Sequence, residues 1–240
     1  LVSRAPITLV TGEIGAGKTT LVQALLKRAE NDVTIGLISN AQGGRGELLR
    51  WIANAFDIDT TENRDDYVGL FQKFQDYLLE EYAAGRRAVL IVDEAQNLSE
   101  EGLEEVRMLT NMNSGKDELI QLILVGQPEL RDMVRQPGMR QLAQRISANI
   151  HLKALDRQTV PAYVSHRLIT AGGTGAEFSA DAIDLIFEQS RGTPRVINQL
   201  CDLSLLYAWG EDQKEVDGQT VRAVLDDGLF FADAATGTEV

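Results

Sequence analysis

Gly12-Glu13-Ile14-Gly15-Ala16-Gly17-Lys18-Thr19 decides how the rest of this chain is read. The β-branched run Ile7-Thr8-Leu9-Val10-Thr11 precedes it, and a segment of helical periodicity opens at Lys18. A GxxxxGK[ST] pattern between a strand and a helix makes a loop whose glycines let backbone N–H groups converge on a phosphate chain. The first turn of the following helix adds the positive end of its dipole at the same place. On this reading Gly12, Glu13, Ile14, Gly15, Ala16 and Gly17 cradle the phosphates together with Thr20. Lys18 reaches the outer two phosphates, and Thr19 holds Mg²⁺ through its hydroxyl.

Further along, Val89-Leu90-Ile91-Val92-Asp93-Glu94 is an apolar strand that ends in two carboxylates. Open α/β sheets bind ligands at the carboxyl ends of their strands, so Asp93 is expected to meet Mg²⁺ there, directly or through water. Glu94 is then the candidate base that polarises the attacking water.

Other apolar runs begin at Val33 (VTIGLIS), Leu119 (LIQLILV) and Ile146 (ISANIHL). Helical patterns alternate with them: near Lys18, near Gly46, from about Asp65 to Ala84, and from Ser99 to about Met112. Alternation of this kind predicts a five-stranded parallel sheet sandwiched by helices, a P-loop NTPase fold within the α/β class. After His151 the strand signals stop, and helices are expected over Thr159–Ala171, Ser179–Ser190, Pro194–Trp209 and Gln219–Leu229. Thr193 before Pro194 reads as an N-cap followed by proline at the first helical position. The expected organisation is a nucleotide-binding α/β subdomain over residues 1–155, a small all-helical lid over 156–230, and a fraying tail over 231–240.

Two more features bear on the chemistry. The strand from Leu119 runs into Gly126-Gln127-Pro128-Glu129-Leu130, which sets Gln127 beside the expected phosphates. Its amide either orients the lytic water or satisfies turn backbone, and the sequence does not choose. In Ser190-Arg191-Gly192-Thr193-Pro194-Arg195-Val196-Ile197-Asn198, Arg195 falls on the first turn of a helix. A cation is disfavoured there by the helix dipole, so a γ-phosphate facing it would offset that cost.

Lys plus Arg number 23 and Asp plus Glu 36, a net charge of -13. Proteins that grip nucleic-acid backbones are usually basic, which counts against DNA as the main partner. The lone Cys201 forms no intrachain disulfide and fits a reducing compartment. No apolar run approaches the roughly 20 residues of a membrane-spanning helix, and a cytoplasmic location is expected. The chain opens at Leu1 without an initiator methionine, as a fragment of a longer polypeptide would.

His151 and His166 lack companions at metal-ligand spacing. Cys201 sits in an apolar helical pattern and reads as core. Trp51, Phe56, Phe71, Phe74 and Tyr77 read as packing residues, and Glu100, Glu101, Glu104 and Glu105 as the exposed first turns of a helix.

Taken together, TGEIGAGKTT, IVDEAQNL, LILVGQPEL, LAQRI and RGTPRVINQLC resemble the AAA+ ATPases, and within them the ExeA or GspA type of general secretion pathway ATPase. The resemblance runs from about Thr8 to Ala208. It implies ATP as substrate with Mg²⁺, Gln127 as sensor 1 and Arg195 as sensor 2. It further implies an arginine finger acting across a homo-oligomer interface, with Arg145 preferred over Arg140, and a partner in the bacterial envelope or secretion machinery. Relatives carry a segment ahead of the first strand that helps enclose the adenine. Most of it is missing here, so base contacts are not assigned. Two other functions fit the same motifs: a DNA-linked transposition ATPase of the MuB or TniB type, and a nucleotide-dependent switch or scaffold that does not hydrolyse.

Overall fold

A computed structural model of the chain describes residues 6–30, 32–39, 46–61, 66–114, 117–228 and 230. Its contacts divide into two units, each with its own core. The first comprises the chain up to Ile14 together with Lys18–Leu152, and the second comprises Gly15–Gly17 together with the chain from Lys153 onward.

In the first unit the elements run β1 (Ile7–Gly12), α1 (Lys18–Lys27), β2 (Val33–Ser39), α2 (Glu47–Ala55), α3 (Tyr67–Ala83), β3 (Arg87–Asp93) and α4 (Glu100–Leu109). A two-residue hairpin follows, β4 (Asn113–Ser114) with β5 (Asp117–Glu118), then β6 (Ile120–Gly126), α5 (Pro128–Arg135), α6 (Arg140–Arg145) and β7 (Ile146–Leu152). The five long strands form one parallel sheet in the order β2-β3-β6-β1-β7. This is the five-stranded P-loop sheet that the sequence predicts.

The sheet is covered on both faces, which is why its central strands read as continuous apolar runs and not as alternating ones. Ala88, Leu90 and Val92 of β3 join Ile7, Leu9, Leu122 and Leu124 in the larger cluster, under Leu49, Ile52, Leu70, Phe74, Leu103 and Val106 from α2, α3 and α4. Val89 and Ile91 point the other way and pack with Val10, Val125 and Val22 of α1. The period of two along β3 therefore sorts one unbroken apolar run into two cores.

Helices α5 and α6 and the β4–β5 hairpin carry too little periodicity to be read beforehand. The two helices have eight and six residues, less than the window over which a 3.6-residue repeat declares itself. The proposed tail over 231–240 lies outside the described residues.

Three expectations about side chains are corrected. Glu105 is buried, not an exposed member of the acidic stretch. It shares the inward stripe of α4 with Gly102, Val106 and Leu109, and its carboxylate accepts the Gly46 N–H at 3.2 and 3.1 Å. A free N–H at the start of α2 thus supplies the donor a buried carboxylate needs. Trp51 is 54% exposed, because α2 buries Leu48, Leu49, Ile52 and Ala53 and turns Trp51 outward. Thr193 occupies the N-cap position of its helix without a side-chain cap hydrogen bond.

One ionic contact fixes the turn from α3 into β3. Arg86 donates to Glu81 from Nε at 2.7 Å and from Nη2 at 2.6 Å, and Thr34 on β2 donates to the same carboxylate. The Arg86 hydrogen bonds, aided by Thr34 and opposed by burial, hold the Glu81 carboxyl at about 2, below its ordinary 4.5. A depressed carboxyl stabilises the fold fully above its unfolded value and loses that contribution as pH falls towards its folded value. Glu81→Gln is therefore expected to cost about 2 kcal/mol of unfolding free energy near neutral pH. In urea denaturation the gap to wild type should narrow between pH 4.5 and 2. A gap that stays constant over that range would contradict the assignment.

The second unit contains α7 (Val160–Thr170), α8 (Ala180–Ser190), α9 (Pro194–Gly210) and α10 (Gly218–Asp226). Its core gathers Val160, Val164, Ile186, Ile197, Leu200 and Val221. Ser179 caps α8 by accepting from Ala182 N–H, and Asp217 caps α10 by accepting from Gln219 and Thr220. Cys201 lies in this core, where burial pushes its thiol up to about 12. A thiol so protonated is inert as a nucleophile, in keeping with its reading as a packing residue. Among the described residues no helix is long and apolar enough to cross a membrane.

Candidate nucleotide-binding site

The site of the first unit is built at the carboxyl edge of the sheet. Strand β6 lies between β3 and β1, so its last residue, Gly126, is flanked by the ends of the other two. Thr11 pairs with Gly126 and Val92 with Leu124, which brings Gly12, Asp93 and Gln127 to neighbouring strand ends. The sheet order thereby joins residues that are more than 80 and more than 30 positions apart in the chain.

Lys18 opens α1 and is only 7% exposed. Its ammonium donates to the Gly12 carbonyl at 2.7 Å and to the Glu13 carbonyl at 3.1 Å. A buried ammonium requires acceptors, and the loop's own carbonyls serve. Thr19 and Thr20 follow on the exposed side of the first turn. Thr11, just before the loop, is buried, with its hydroxyl 3.0 Å from His151 Nδ1 on β7.

Asp93 is buried at the end of β3. Burial raises its carboxyl above the ordinary value and the neighbouring charge of Glu94 adds to this, while the Glu94 N–H, which donates to Oδ1 at 2.9 Å, and the charge of Lys18 act against it. A buried carboxylate that lacks a full counter-charge suits a divalent cation. The Asp93 carboxylate and the Thr19 hydroxyl are hard oxygens of the kind that Mg²⁺ prefers.

Glu94 adopts a left-handed backbone conformation, φ 54° and ψ 38°. A short 3₁₀ turn over Ala95–Asn97 follows directly. The Gln96 side chain of that turn donates from Nε2 to Glu94 Oε2 at 2.6 Å, and its Oε1 accepts the Gln127 N–H at 3.1 Å. Reading the sequence alone missed Gln96, whose only signal is its place two residues after Glu94.

Arg145 ends α6, directly before β7. Its guanidinium donates to the Thr110 carbonyl at 3.1 Å and to Asn111 Oδ1 at 2.5 Å, at the end of α4. Arg140 opens the same helix. In the second unit Arg195 stands on the first turn of α9, and its N–H donates to the Gly15 carbonyl at 3.2 Å. Gly15 has φ +80°, and a Cβ there would fall 2.7 Å from the Arg195 Cβ. Both the backbone conformation and the close approach require glycine at that position.

The AAA domain family matches residues 2–134, more than half of the chain. The chain belongs to this family of AAA ATPases. It is 40% identical over 208 residues to the General secretion pathway protein A of Aeromonas hydrophila, a match that covers 87% of this chain and 38% of that protein. This AAA domain therefore spans well under half the length of that relative. Among solved structures it resembles the Cdc6p of Pyrobaculum aerophilum (TM-score 0.72, 19% identity, 95% of this chain and 62% of that one). The ORC2 protein of Aeropyrum pernix in its ADPNP-ADP complexes is similar too, with a TM-score of 0.69 at 16% identity over 93% of this chain and 62% of that one. So is the RuvB Holliday junction branch migration motor of Thermotoga maritima, at 0.58 and 15% over 92% and 61%. At such identities these three likenesses concern the fold alone. The fold class and the ExeA-like kinship expected from the motifs both hold.

Proposed function

We propose that this AAA domain binds ATP with Mg²⁺ and hydrolyses it as part of a homo-oligomer. The observation that carries the reading is the convergence of Lys18, Asp93 and Glu94 on the strand ends around Gly126. In the proposed complex the loop N–H groups of Gly12–Thr20 and the start of α1 bind the phosphate chain. Lys18 leaves the loop carbonyls for the β- and γ-phosphate oxygens. Thr19 and Asp93 would hold Mg²⁺, which when bound would supply charge neutralisation at those phosphates. Glu94 accepts the proton of the attacking water, and Gln127 orients that water.

Arg195 is proposed to sense the γ-phosphate. Arg145 is proposed as the arginine finger offered to a neighbouring copy. Two of its five N–H donors are engaged on Thr110 and Asn111, which aims the guanidinium and leaves donors for a phosphate. Kinship with the General secretion pathway protein A supports a further step, in which ATP-driven oligomerisation serves an envelope or secretion assembly from the cytoplasmic side.

The test is steady-state ATP hydrolysis across a range of protein concentrations, with molecular mass followed in parallel with and without ATP and Mg²⁺. Specific activity should rise as an ATP-dependent oligomer forms. Mixing Arg145→Ala with Glu94→Gln protein should restore turnover, since one protomer supplies the base and its partner the arginine. A concentration-independent monomeric activity would refute the shared site.

A further inference from the structure

The 3₁₀ turn after β3 places a side-chain amide between the residues that follow two neighbouring strands, β3 and β6, beyond the end of their ladder at Val92 and Leu124. Gln96 Nε2 donates to Glu94 Oε2 at 2.6 Å, and Gln96 Oε1 accepts from the Gln127 N–H at 3.1 Å. The amide's orientation is dictated by its partners: an ionised carboxylate only accepts and a backbone N–H only donates. Both halves of the amide are thus in use at once.

Room for the amide is made by a glycine. A Cβ at Gly126 would fall 2.7 Å from Gln96 Oε1 and 2.8 Å from Leu130 Cδ2, so any larger residue at the end of β6 would displace Gln96. The backbone of Glu94 contributes as well. Its left-handed conformation turns the chain sharply after Asp93, so that Gln96 projects back towards Glu94 while the Asn97 N–H closes on the Glu94 carbonyl at 3.0 Å. A left-handed non-glycine residue, a glycine made necessary by close approach, and a doubly engaged amide all meet at one point.

From this geometry we infer that Gln96 is a positioning residue for ATP hydrolysis: its amide bridges the Glu94 carboxylate to the Gln127 main chain, so that the water-activating group and the end of β6 are held in register. The inference rests on the proposed role of Glu94 as base. Gln96 need touch neither nucleotide nor water. Its effect is to restrict the rotamers of Glu94, whose carboxylate otherwise swings on three rotatable bonds, and to tie them to the strand end that carries Gln127. Movement at Gln127 on nucleotide binding would then be passed to Glu94 through two hydrogen bonds.

Two readouts test this on the full chain. In steady-state hydrolysis, Gln96→Ala is expected to lower kcat about tenfold while ATP affinity, measured by equilibrium binding, stays within about twofold of wild type. By amide hydrogen exchange followed by NMR without nucleotide, the Gln127 N–H should exchange at least about fivefold faster in Gln96→Ala, which removes its acceptor. Glu94→Asn, whose shorter side chain withdraws from the bridge while tolerating the left-handed backbone, should also speed Gln127 exchange. The double variant should be no faster than Gln96→Ala alone. Should Gln96→Ala fail to fold, Gln96→Glu serves: it keeps an oxygen for Gln127 and puts a carboxylate where Glu94 needs a donor, so kcat should fall while Gln127 stays protected. Unchanged Gln127 exchange in Gln96→Ala, or additive effects in the double variant, overturns the bridge, as does an unaltered kcat in Gln96→Glu. Full turnover by Glu94→Gln overturns the base assignment, and with it the positioning role, even if the exchange coupling is present. The two failures are thereby told apart.

Discussion

Lys18→Ala should abolish tight ATP binding, with affinity falling at least about a hundredfold, because charge-assisted hydrogen bonds to two phosphates are lost together. Lys18 is the cation at the start of α1, and its ammonium rests on the carbonyls of Gly12 and Glu13 at 2.7 and 3.1 Å. Those two carbonyls occupy the loop's own backbone, so the ammonium is stored beside the phosphate path and no large rearrangement is needed to redirect it. Removing it leaves the Glu13 carbonyl at an exposed residue, where water can replace the ammonium, and deprives the buried Gly12 carbonyl of one donor. The fold is therefore expected to persist, with a melting temperature within a few degrees of wild type. Equilibrium titration with a fluorescent ATP analogue, alongside thermal melting, separates the two effects. Tight binding retained by a folded Lys18→Ala protein would remove the loop from the nucleotide site.

The second large effect is expected at Glu94. Glu94→Gln is nearly isosteric, and its carbonyl oxygen can still accept from Gln96 Nε2 where the carboxylate now does at 2.6 Å. The Glu94 N–H that donates to Asp93 belongs to the backbone and is untouched. What disappears is the capacity to take a proton. Turnover should fall by about 10²–10⁴, the contribution of a positioned general base, while ATP affinity is kept and ATP-bound oligomers accumulate. Single-turnover hydrolysis of radiolabelled ATP, with mass measured under the same conditions, gives both quantities. A Glu94→Gln protein that turns over at the wild-type rate would identify another base or a hydrolysis that needs none. Against the alternative of a non-hydrolysing switch, the contrast between Lys18→Ala and Glu94→Gln is decisive: a switch would lose assembly in the first and be indifferent to the second.

Lys18 and Glu94 were legible in the sequence for different reasons. The loop from Gly12 to Thr19 is local: its glycines, its lysine and the helix it opens are contiguous, and a positive φ such as the +96° of Gly17, where an added Cβ would meet nothing, is a property of the glycine itself. The Asp93-Glu94 pair is legible because an unbroken apolar run must be a strand buried on both faces, and its first polar residues must lie where that strand leaves the sheet. Gln127 could be placed by the same argument, at the end of the run from Leu119.

Other residues were not legible, because their roles depend on neighbours distant in the chain. Glu105 reads as one of four solvated glutamates, and only the packing of α4 beneath the start of α2 gives it the Gly46 N–H and a buried position. Trp51 reads as core until α2 is seen to bury its other face. Arg145 could be singled out by kinship, but its two hydrogen bonds to Thr110 and Asn111, some 35 residues earlier, come from α6 docking on α4. Gln96 is the clearest case. No periodicity or charge marks it, and its function as a bridge exists only because the sheet order sets β6 beside β3, bringing Gln127 within reach of a turn 31 residues away.

By itself, then, the sequence determined the glycine-rich loop between β1 and α1, the strand-end carboxylates, the parallel sheet and the family. These are properties of short segments whose glycine, charge and apolar patterns admit few conformations. The tertiary structure alone decided which side chains are clamped and which are free, because a hydrogen bond between residues far apart in the chain is specified by strand order and helix docking. Those are set by the packing of the whole core, to which every apolar residue contributes and which no single segment records.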